Sequence, residues 1–339
     1  MNEELAKAIH DKMLAMLRRP LKSIPVVLML VIGFAIYALC SPLAFAQNAS
    51  VKVVLDPNFH VPAPPMDNFP YNTEHVFVSS MAMLALGILM TIIAAVHSVR
   101  AKNSVPVCLV LAAAFCVVPE CFDNVLGGCF WAQDHRSILY FLLGREFDYY
   151  VITMWYAFGA ILGYIVYVAL SRGVKTKVLW MAFGLAGIAD IIIEEILLNY
   201  GGTYMYYGHQ PLVLLTRFPW WWLFANMGGL FLGASIAYRL RDWLNGWKAC
   251  FLFILFPVCY IGMWSFAAMP AAFAIQGDFS WLTTQLLGIA TCILALVGTC
   301  GTIRFVLNRN PFDMGGLPEE TVRVRPDAAK ARAQQYISQ

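Results

Sequence analysis

The chain has 339 residues, of which 60% are hydrophobic and only 13% are charged, and its mean hydropathy is +0.67. Soluble proteins carry about 25% charged residues, so this composition excludes a soluble enzyme and a disordered chain and indicates the lipid bilayer as solvent. The net charge is only +3, and no basic run surrounds aromatic residues, so no nucleic-acid partner is expected.

Apolar stretches long enough to cross a membrane recur along the chain. A transmembrane helix needs about 20 apolar residues, and the segments that satisfy this are 25–46, 76–99, 105–126, 149–170, 178–198, 213–238, 249–275 and 281–306. They predict an all-α, polytopic membrane bundle of about eight helices. Its seven-helix core is expected at 74–306, and its oligomeric state stays open.

The first predicted span, at 25–46, is also compatible with a cleaved signal segment. It follows a cytoplasmic segment at 1–24, and residues 43–47 (Leu-Ala-Phe-Ala-Gln) resemble a signal-peptidase site. Cleavage would leave seven helices, but the stretch is long enough to span, which favours an uncleaved anchor. Residues 47–73 are predicted to form an extracytoplasmic loop, and 307–339 a flexible cytoplasmic tail.

Basic residues give the predicted orientation of the bundle. Lys and Arg concentrate before the first span and after the second, fourth, sixth and eighth spans. Because such residues remain on the cytoplasmic side, both termini are predicted to be cytoplasmic. The other loops are mostly acidic and are predicted to be extracytoplasmic.

Carboxylic acids inside two predicted spans are the candidate catalytic residues. Glu120 and Asp123 lie in the third span, and Asp190 and Glu194 lie in the fifth. At a rise of about 1.5 Å per residue, Asp190 lies roughly 18 Å from the cytoplasmic edge of a ~30 Å core. An acid at that depth costs at least ~2.5 kcal/mol on insertion scales, so a function is expected. We predict that both spans direct their acids into one chamber in the extracytoplasmic half.

The protonation state of these acids follows from the cations available. No Lys or Arg lies deep in any predicted span, so Asp190 has no evident basic partner. Either a cation or water reaches this side chain, or it stays neutral, because apolar surroundings disfavour the charged form of a carboxylic acid. A neutral acid can donate a proton.

Aromatic and amide side chains surround the acids in the same half of the predicted bundle. Aromatic faces stabilise cations, although an interfacial aromatic belt is the alternative for residues 220–222. The predicted substrate-binding residues are Trp155, Tyr156, Asn124, Asn199, Tyr204, Trp221, Asn226 and Trp264. No metal and no cofactor are predicted.

A neutral acid facing aromatic walls is suited to protonating an alkene or an epoxide. The resulting carbocation would be shielded from water and stabilised by the π faces, and a second carboxylate, amide or His would accept the final proton. This predicts a cofactor-free cyclase or isomerase whose substrate is a lipid-soluble isoprenoid that arrives from the bilayer.

The arrangement resembles the integral-membrane terpene cyclases of meroterpenoid pathways, which are small seven-helix proteins that use intramembrane acids. The order Glu, Gly-Thr-Tyr-x-Tyr, Pro, Trp between Glu194 and Trp221 is also similar to membrane carotenoid-modifying enzymes. The resemblance implies acid–base catalysis in a compact bundle. The additional first span and the C-terminal tail depart from the compact size of that family.

Two other functions remain open at this point. Paired acids at mid-depth also suit a proton- or cation-coupled transporter, and a lipid-lined pocket suits a non-catalytic lipid-binding protein. A retinal-binding pump is excluded because 281–306 holds no Lys. Cys121 and Cys129 lie near one membrane face, and the sequence leaves open whether they pair.

Overall fold

The computed structural model describes residues 62–64, 72–132, 138–143 and 145–313. The predicted segments 1–24 and 25–46, and most of 47–73 and 307–339, lie outside these residues. The described chain is mostly helical, at 74%, with eight helices. The all-α class is confirmed at this level.

The elements follow one another in a simple order along the chain. The helices are α1 (Thr73–Ala101), α2 (Val105–Ala113), α3 (Glu120–Gly127), α4 (Tyr149–Ser171), α5 (Thr176–Ile196), α6 (Trp221–Arg239), α7 (Leu252–Gln276) and α8 (Trp281–Gly301). The strands are β1 (Cys129–Trp131), β2 (Ile138–Leu142), β3 (Arg145–Asp148) and β4 (Tyr204–Tyr206). Tighter or wider helical turns adjoin four of the helices, at Ala114–Val117, Leu197–Gly201, Gly246–Phe251 and Thr302–Val306.

Fewer helices than expected have the length and composition of membrane spans. Four described segments do, namely Thr73–Ala101, Tyr149–Ser171, Gly246–Gln276 and Trp281–Val306. A fifth is obtained if the bent pair Val105–Val117 and Glu120–Gly127 forms one span. Seven of the eight predicted spans fall in the described part of the chain, so the prediction is too high there.

The difference lies mainly in α5 and α6, which were expected to be the fifth and sixth spans. The charged residues of α5 are Lys177, Asp190, Glu194 and Glu195. Helix α6 has only 19 residues, because the predicted segment 213–238 is irregular up to Pro219 and becomes helical only from Trp221. Hydropathy averaged over a window does not detect this late start.

A bend divides the predicted third span, 105–126, and places its acids on a separate helix. A tight turn follows α2, and after Pro119 the chain enters α3 at an angle of 50°. Proline lacks the N–H that would continue the preceding helix, which accounts for a break at this residue. Glu120 and Asp123 thus lie in the first turn of α3, where the helix dipole favours negative charge.

Hydrogen bonds between loops show which helix ends meet at one end of the bundle. The Asn103 amide donates to the carbonyl of Arg241 at 3.1 Å, and the Arg309 guanidinium donates to the carbonyl of Val174 at 2.6 Å. The C-terminal ends of α1, α4, α6 and α8 therefore lie together. We call this the basic end, because its loops carry Lys102, Arg172, Arg239, Lys248 and Arg309.

Two short strand pairs lie at the other end, which we call the sheet end. Strand β1 pairs antiparallel with β4, and β2 pairs antiparallel with β3. The buried Arg145 joins the two pairs, since its guanidinium donates to the carbonyl of Cys129 at 2.7 Å and to the hydroxyl of Tyr207. The strands thereby hold the loops at this end in fixed positions.

Helices α1 and α4 pack in parallel. The hydroxyls of Ser80 and Thr153 lie 3.2 Å apart, and those of Thr91 and Tyr156 lie 2.5 Å apart. A Cβ at Gly87 would lie 2.3 Å from the Tyr156 ring, so this glycine makes room for the ring. Tyr156, predicted to bind substrate, instead packs between these two helices.

Helices α6 and α7 cross at short distance behind the cavity described below. A Cβ on Gly229 would lie 2.6 Å from the carbonyl oxygen and 2.8 Å from the Cα of Tyr260. Small residues at such crossings allow helix backbones to come together. Tyr260, which lies behind the cavity wall, is therefore positioned by a residue without a side chain.

We expect Gly229→Ala to destabilise the protein by about 1–3 kcal/mol, because overpacking against backbone atoms cannot be relieved by a side-chain rotation. The measurement is thermal unfolding of the detergent-purified protein. Gly184→Ala is the matched control, since a Cβ at this helical glycine meets nothing within 4 Å and removes backbone freedom. Equal melting temperatures for the two variants would contradict the proposed crossing.

Candidate functional site

A cavity of about 300 Å³ lies between α4, α5 and α6 and reaches α3 and the β1–β4 pair. Its carboxylic acids are Glu120, Asp190 and Glu194, and most of its remaining wall is apolar or aromatic. We call it the acid cavity. Ligand pockets in proteins begin at about this volume and combine apolar walls with a few polar groups.

Glu120 is fixed by three N–H donors. Its Oε1 accepts from the Asn124 amide at 2.8 Å and from the Trp131 indole at 3.2 Å, and its Oε2 accepts from the Trp155 indole at 2.8 Å. The residue is only 3% exposed, so these bonds replace its hydration. Oε2 retains a free lone pair for exchanging a proton with a molecule in the cavity.

Asp190 has a different environment from Glu120. It is half-buried on α5 and makes no hydrogen bond to any residue in the described part of the chain. The cavity lining next to it is supplied by Ala186, Ala189 and Ile193, which lie on the same helix face. A carboxyl group in such surroundings has nothing to stabilise its charge except solvent or a bound ligand.

Glu194 lies one turn beyond Asp190 on the same face of α5. Its Oε2 accepts a hydrogen bond from the Tyr204 hydroxyl, and the Tyr206 hydroxyl also interacts with its carboxylate. Asp190 and Glu194 interact electrostatically as like charges. The two acids cannot both be ionised here without cost.

The aromatic wall of the acid cavity is built largely by strand pairing. Residue Trp131 on β1 faces Tyr204 on β4, and their rings lie 4.7 Å apart. The Tyr206 ring lies 5.4 Å from that of Trp222 on α6. Because residues two apart on a strand face the same side, both tyrosines of β4 line the cavity.

Six of the predicted site residues meet at the acid cavity. They are Glu120, Asp190, Glu194, Trp155, Tyr204 and Asn226. The spans named as third and fifth thus direct acids to one chamber, as the spacing predicted.

Asp123 and Asn124 lie behind the cavity wall instead of in it. Asn124 donates to Glu120, as described above. Asp123 is fully buried, and neither of its carboxylate oxygens has a hydrogen bond of normal geometry in the described chain. It interacts electrostatically with Glu120 and with the Tyr260 hydroxyl. That hydroxyl donates to Asn226 at 3.2 Å. Asp123 is therefore connected to the cavity through the side chains of Tyr260 and Asn226.

Trp221 and Trp264, predicted to bind substrate, form the layer behind Trp222. Both are fully buried, and the Trp222 ring lies 4.9 Å from Trp221 and 5.0 Å from Trp264. The Trp221 indole donates to the Gln210 side chain at 3.2 Å. These residues therefore support the wall but do not line the cavity.

Asn199 is also placed away from the cavity, in a hydrogen-bonded clamp around Glu195. Its amide donates to the Thr216 hydroxyl at 2.6 Å and to the Glu195 carboxylate at 3.2 Å. The same carboxylate accepts from the backbone N–H groups of Thr216, Arg217 and Phe218. The clamp attaches the loop before α6 to the end of α5, which is a structural role.

Among the Trp and Tyr residues of the lining, three were not among the predicted site residues, namely Trp131, Tyr206 and Trp222. The alternation Tyr-Met-Tyr at 204–206 is the signal that would have grouped Tyr206 with Tyr204. Trp131 gave no comparable local signal, because its position depends on pairing with a strand more than 70 residues later in the chain.

The open question of a disulfide is answered by the structure. Cys121 and Cys129 both carry free thiols. Cys129 lines the acid cavity, whereas Cys121 is packed into the core on the first turn of α3. Within the described ranges, no three His, Cys, Asp or Glu side chains converge in a way suited to a metal ion.

Comparison with known proteins gives no relative from which a function could be transferred. No family model, no curated protein and no solved structure matches the chain. The function has to be argued from the acid cavity itself.

The contrast between two of the acids gives a prediction about stability. Glu120→Gln replaces an acceptor oxygen by an NH₂ group facing N–H donors, so we expect a loss of about 1–3 kcal/mol. Asp190→Asn removes no hydrogen bond within the described chain and should change stability by less than about 0.5 kcal/mol. Thermal unfolding in detergent measures both, and equal losses in the two variants would contradict the hydrogen-bond assignment.

Proposed function

We propose that this protein is a membrane-embedded, cofactor-free cyclase or isomerase that acts on a lipid-soluble isoprenoid by acid–base chemistry. The observation that carries the proposal is the convergence of Asp190, Glu194 and Glu120 on one aromatic-walled cavity. Acids in apolar surroundings are costly, and they mark functional sites in membrane proteins.

Asp190 is the proton donor in this proposal. Because no described group hydrogen-bonds to its carboxyl, and because a buried charge needs partners, the neutral acid is the form that suits the apolar wall. Its O–H bond breaks as the proton is added to an alkene carbon or an epoxide oxygen of the substrate. Glu194 stays protonated in this proposal, so proton donation leaves a single negative charge on the Asp190–Glu194 pair.

The carbocation is then held against the aromatic wall. Trp131, Trp155 and Trp222 line the same space as the acids, and cation–π attraction contributes about 0.5–2 kcal/mol per ring. When an internal alkene attacks the cation, a C–C bond forms and the charge moves to a new carbon. Water, which would quench the cation as an alcohol, is kept out by the apolar lining.

Glu120 is the proton acceptor that ends the reaction. Its three N–H donors favour the carboxylate form. Glu120 lines the cavity, and its Oε2 accepts only one of these bonds and keeps a lone pair. Transfer of a C–H proton to Oε2 regenerates an alkene, so the product of an alkene substrate is its isomer. The proton must then return from Glu120 to Asp190 before the next turnover, and this step needs no external oxidant or reductant.

The size of the cavity limits which part of the substrate reacts inside it. A cavity of about 150 Å³ binds benzene, so about 300 Å³ accommodates a segment of roughly two such rings. A second cavity of about 410 Å³ lies on the opposite side of α5, and Met227 lines both. Its wall is apolar and provides space for the rest of a longer chain.

The orientation belongs to the same proposal. Lys and Arg gather at the basic end, which the charge rule assigns to the cytoplasm, and this assignment puts both termini on that side. The acid cavity then lies toward the extracytoplasmic half, and a substrate dissolved in the bilayer reaches it from the side.

A proton-coupled transporter is the second candidate, and Asp123 is the observation that favours it. This buried carboxyl lies behind Glu120 and connects through Tyr260 to Asn226. Such a series of polar side chains is suited to passing protons, whereas stabilising a carbocation does not require it. In a transporter, proton flux through liposomes would depend on Asp123. In a cyclase, Asp123 only positions Glu120.

We expect Asp190→Asn to lower product formation by about 10²–10⁴-fold, which is what a general acid contributes. Membranes containing the protein are supplied with a series of polyprenyl alkenes and their terminal epoxides, and products are resolved by mass spectrometry. In D₂O the product should gain deuterium at the protonated carbon. Glu194→Gln should also reduce turnover, because it disturbs the acid pair.

The matched control is Asp278→Asn, an exposed acid in the loop between α7 and α8, which should retain full activity. Unchanged product levels in Asp190→Asn would exclude that residue as the acid. Proton flux in proteoliposomes without isomerised product would support the transporter. Tight binding of the polyprenyl probe with neither product nor flux would indicate a non-catalytic lipid-binding protein.

A further inference from the structure

A second polar pocket lies at the basic end, between the C-terminal halves of α1 and α4. It is a groove of about 570 Å³, and its polar lining residues are His97, Arg100, Tyr164, Ser171 and Arg172. At a rise of about 1.5 Å per residue, Arg172 lies roughly 25 Å along α4 from Trp155. The groove is therefore separate from the acid cavity, and we call it the basic groove.

Helical spacing produces a gradient of polarity along the basic groove. On α1, Ile93, His97 and Arg100 are four and seven residues apart and share one face. On the parallel helix α4, Tyr164 and Arg172 are eight apart and face the same space. The groove is thus apolar toward the middle of the bundle and cationic at the end of both helices.

Among the described residues, the charges of the groove have no counter-ion. Both arginines are exposed, and neither guanidinium makes a hydrogen bond or an ion pair with any residue in the described ranges. None of the described lining residues is acidic. The charge of Arg172 also acts on His97, whose Nδ1 lies 3.0 Å from the Tyr164 hydroxyl. Cationic and hydroxyl groups on two helices converge on a space that an anion would fit.

We propose that the basic groove binds an anionic phospholipid, with Arg100 and Arg172 holding its phosphate. Guanidinium groups pair with phosphate through two parallel N–H donors, and basic pockets between transmembrane helices bind anionic headgroups. The Tyr164 hydroxyl lines the same space and can donate to a headgroup oxygen. The Ser171 hydroxyl also lines it, donates to the carbonyl of Tyr167 at 2.8 Å and can accept from a headgroup hydroxyl.

The apolar part of the groove selects a lipid over free phosphate. The side chains of Ile92, Ile93 and Val96 are 57%, 43% and 45% exposed and continue from the arginines toward the middle of α1, where an acyl chain would lie. Helix α1 has 29 residues, about 43 Å at 1.5 Å per residue, which exceeds a ~30 Å hydrocarbon core. Arg100 in its last turn therefore reaches the headgroup layer.

The experiment measures lipid selectivity of the full-length, detergent-purified protein by native mass spectrometry and by thermal shift. We expect phosphatidylglycerol to be retained and to raise the melting temperature, with at least tenfold weaker binding of phosphatidylcholine of the same chain length. Selectivity should disappear in the double variant Arg100→Gln, Arg172→Gln. The control Lys175→Gln, Lys177→Gln removes the same charge from exposed loop and helix positions outside the groove and should retain it.

Each other outcome overturns the proposal. Equal binding of the two lipids by the native protein would show that headgroup charge does not determine lipid binding. A thermal shift as large with inorganic phosphate alone as with phosphatidylglycerol would indicate a free-anion site without an acyl-chain groove. If the double arginine variant does not fold, the lipid selectivity of the two single variants is compared with that of the native protein. Loss of selectivity in the lysine control would show that selectivity depends on the overall charge of this end and not on the groove.

Discussion

The Glu120 carboxylate is the interaction on which the site depends. Its hydrogen bonds connect Asn124 on α3, Trp131 on β1 and Trp155 on α4, so three elements meet at one buried acid. Without such donors a buried carboxylate loses the bonds that replace its hydration, and two indoles without acceptors would be left unsatisfied. Acid and aromatic wall therefore stabilise each other, and both lose their positions if either is removed.

Helix α5 provides the opposite arrangement. Glu195 is held by loop N–H groups and Glu194 by Tyr204, but Asp190 has neither kind of partner in the described chain. Two cavities border this helix on different faces, and only Thr176, Leu179 and Gly187 along it are buried. The structure thus separates a hydrogen-bonded acid from an unassisted one, and the proposed chemistry uses the first as proton acceptor and the second as proton donor.

Sequence patterns predicted the parts of this site that depend on local spacing. Asp190 and Glu194 share a face because they are four residues apart, and Glu120 meets them because both spans run toward the same end. The patterns did not predict side-chain positions that depend on contacts between residues far apart in the sequence. The bend at Pro119 moved Asp123 behind the wall, strand pairing brought in Trp131, and Tyr156 turned toward α1 because Gly87 leaves space there. Hydropathy likewise overestimated the spans at α5 and α6, since it averages over charges and over an irregular segment.

The placement of Arg145 bears directly on the chemistry proposed for the acids. It is the buried cation of the sheet end, yet its guanidinium is occupied by the Cys129 carbonyl and the Tyr207 hydroxyl and lies 5.4 Å from the centre of the Phe130 ring. Had it paired with Asp190, the acid would be held as an anion and could not donate a proton. The β-strands that position Arg145 therefore direct a cation into the loops, and the described lining of the acid cavity contains none.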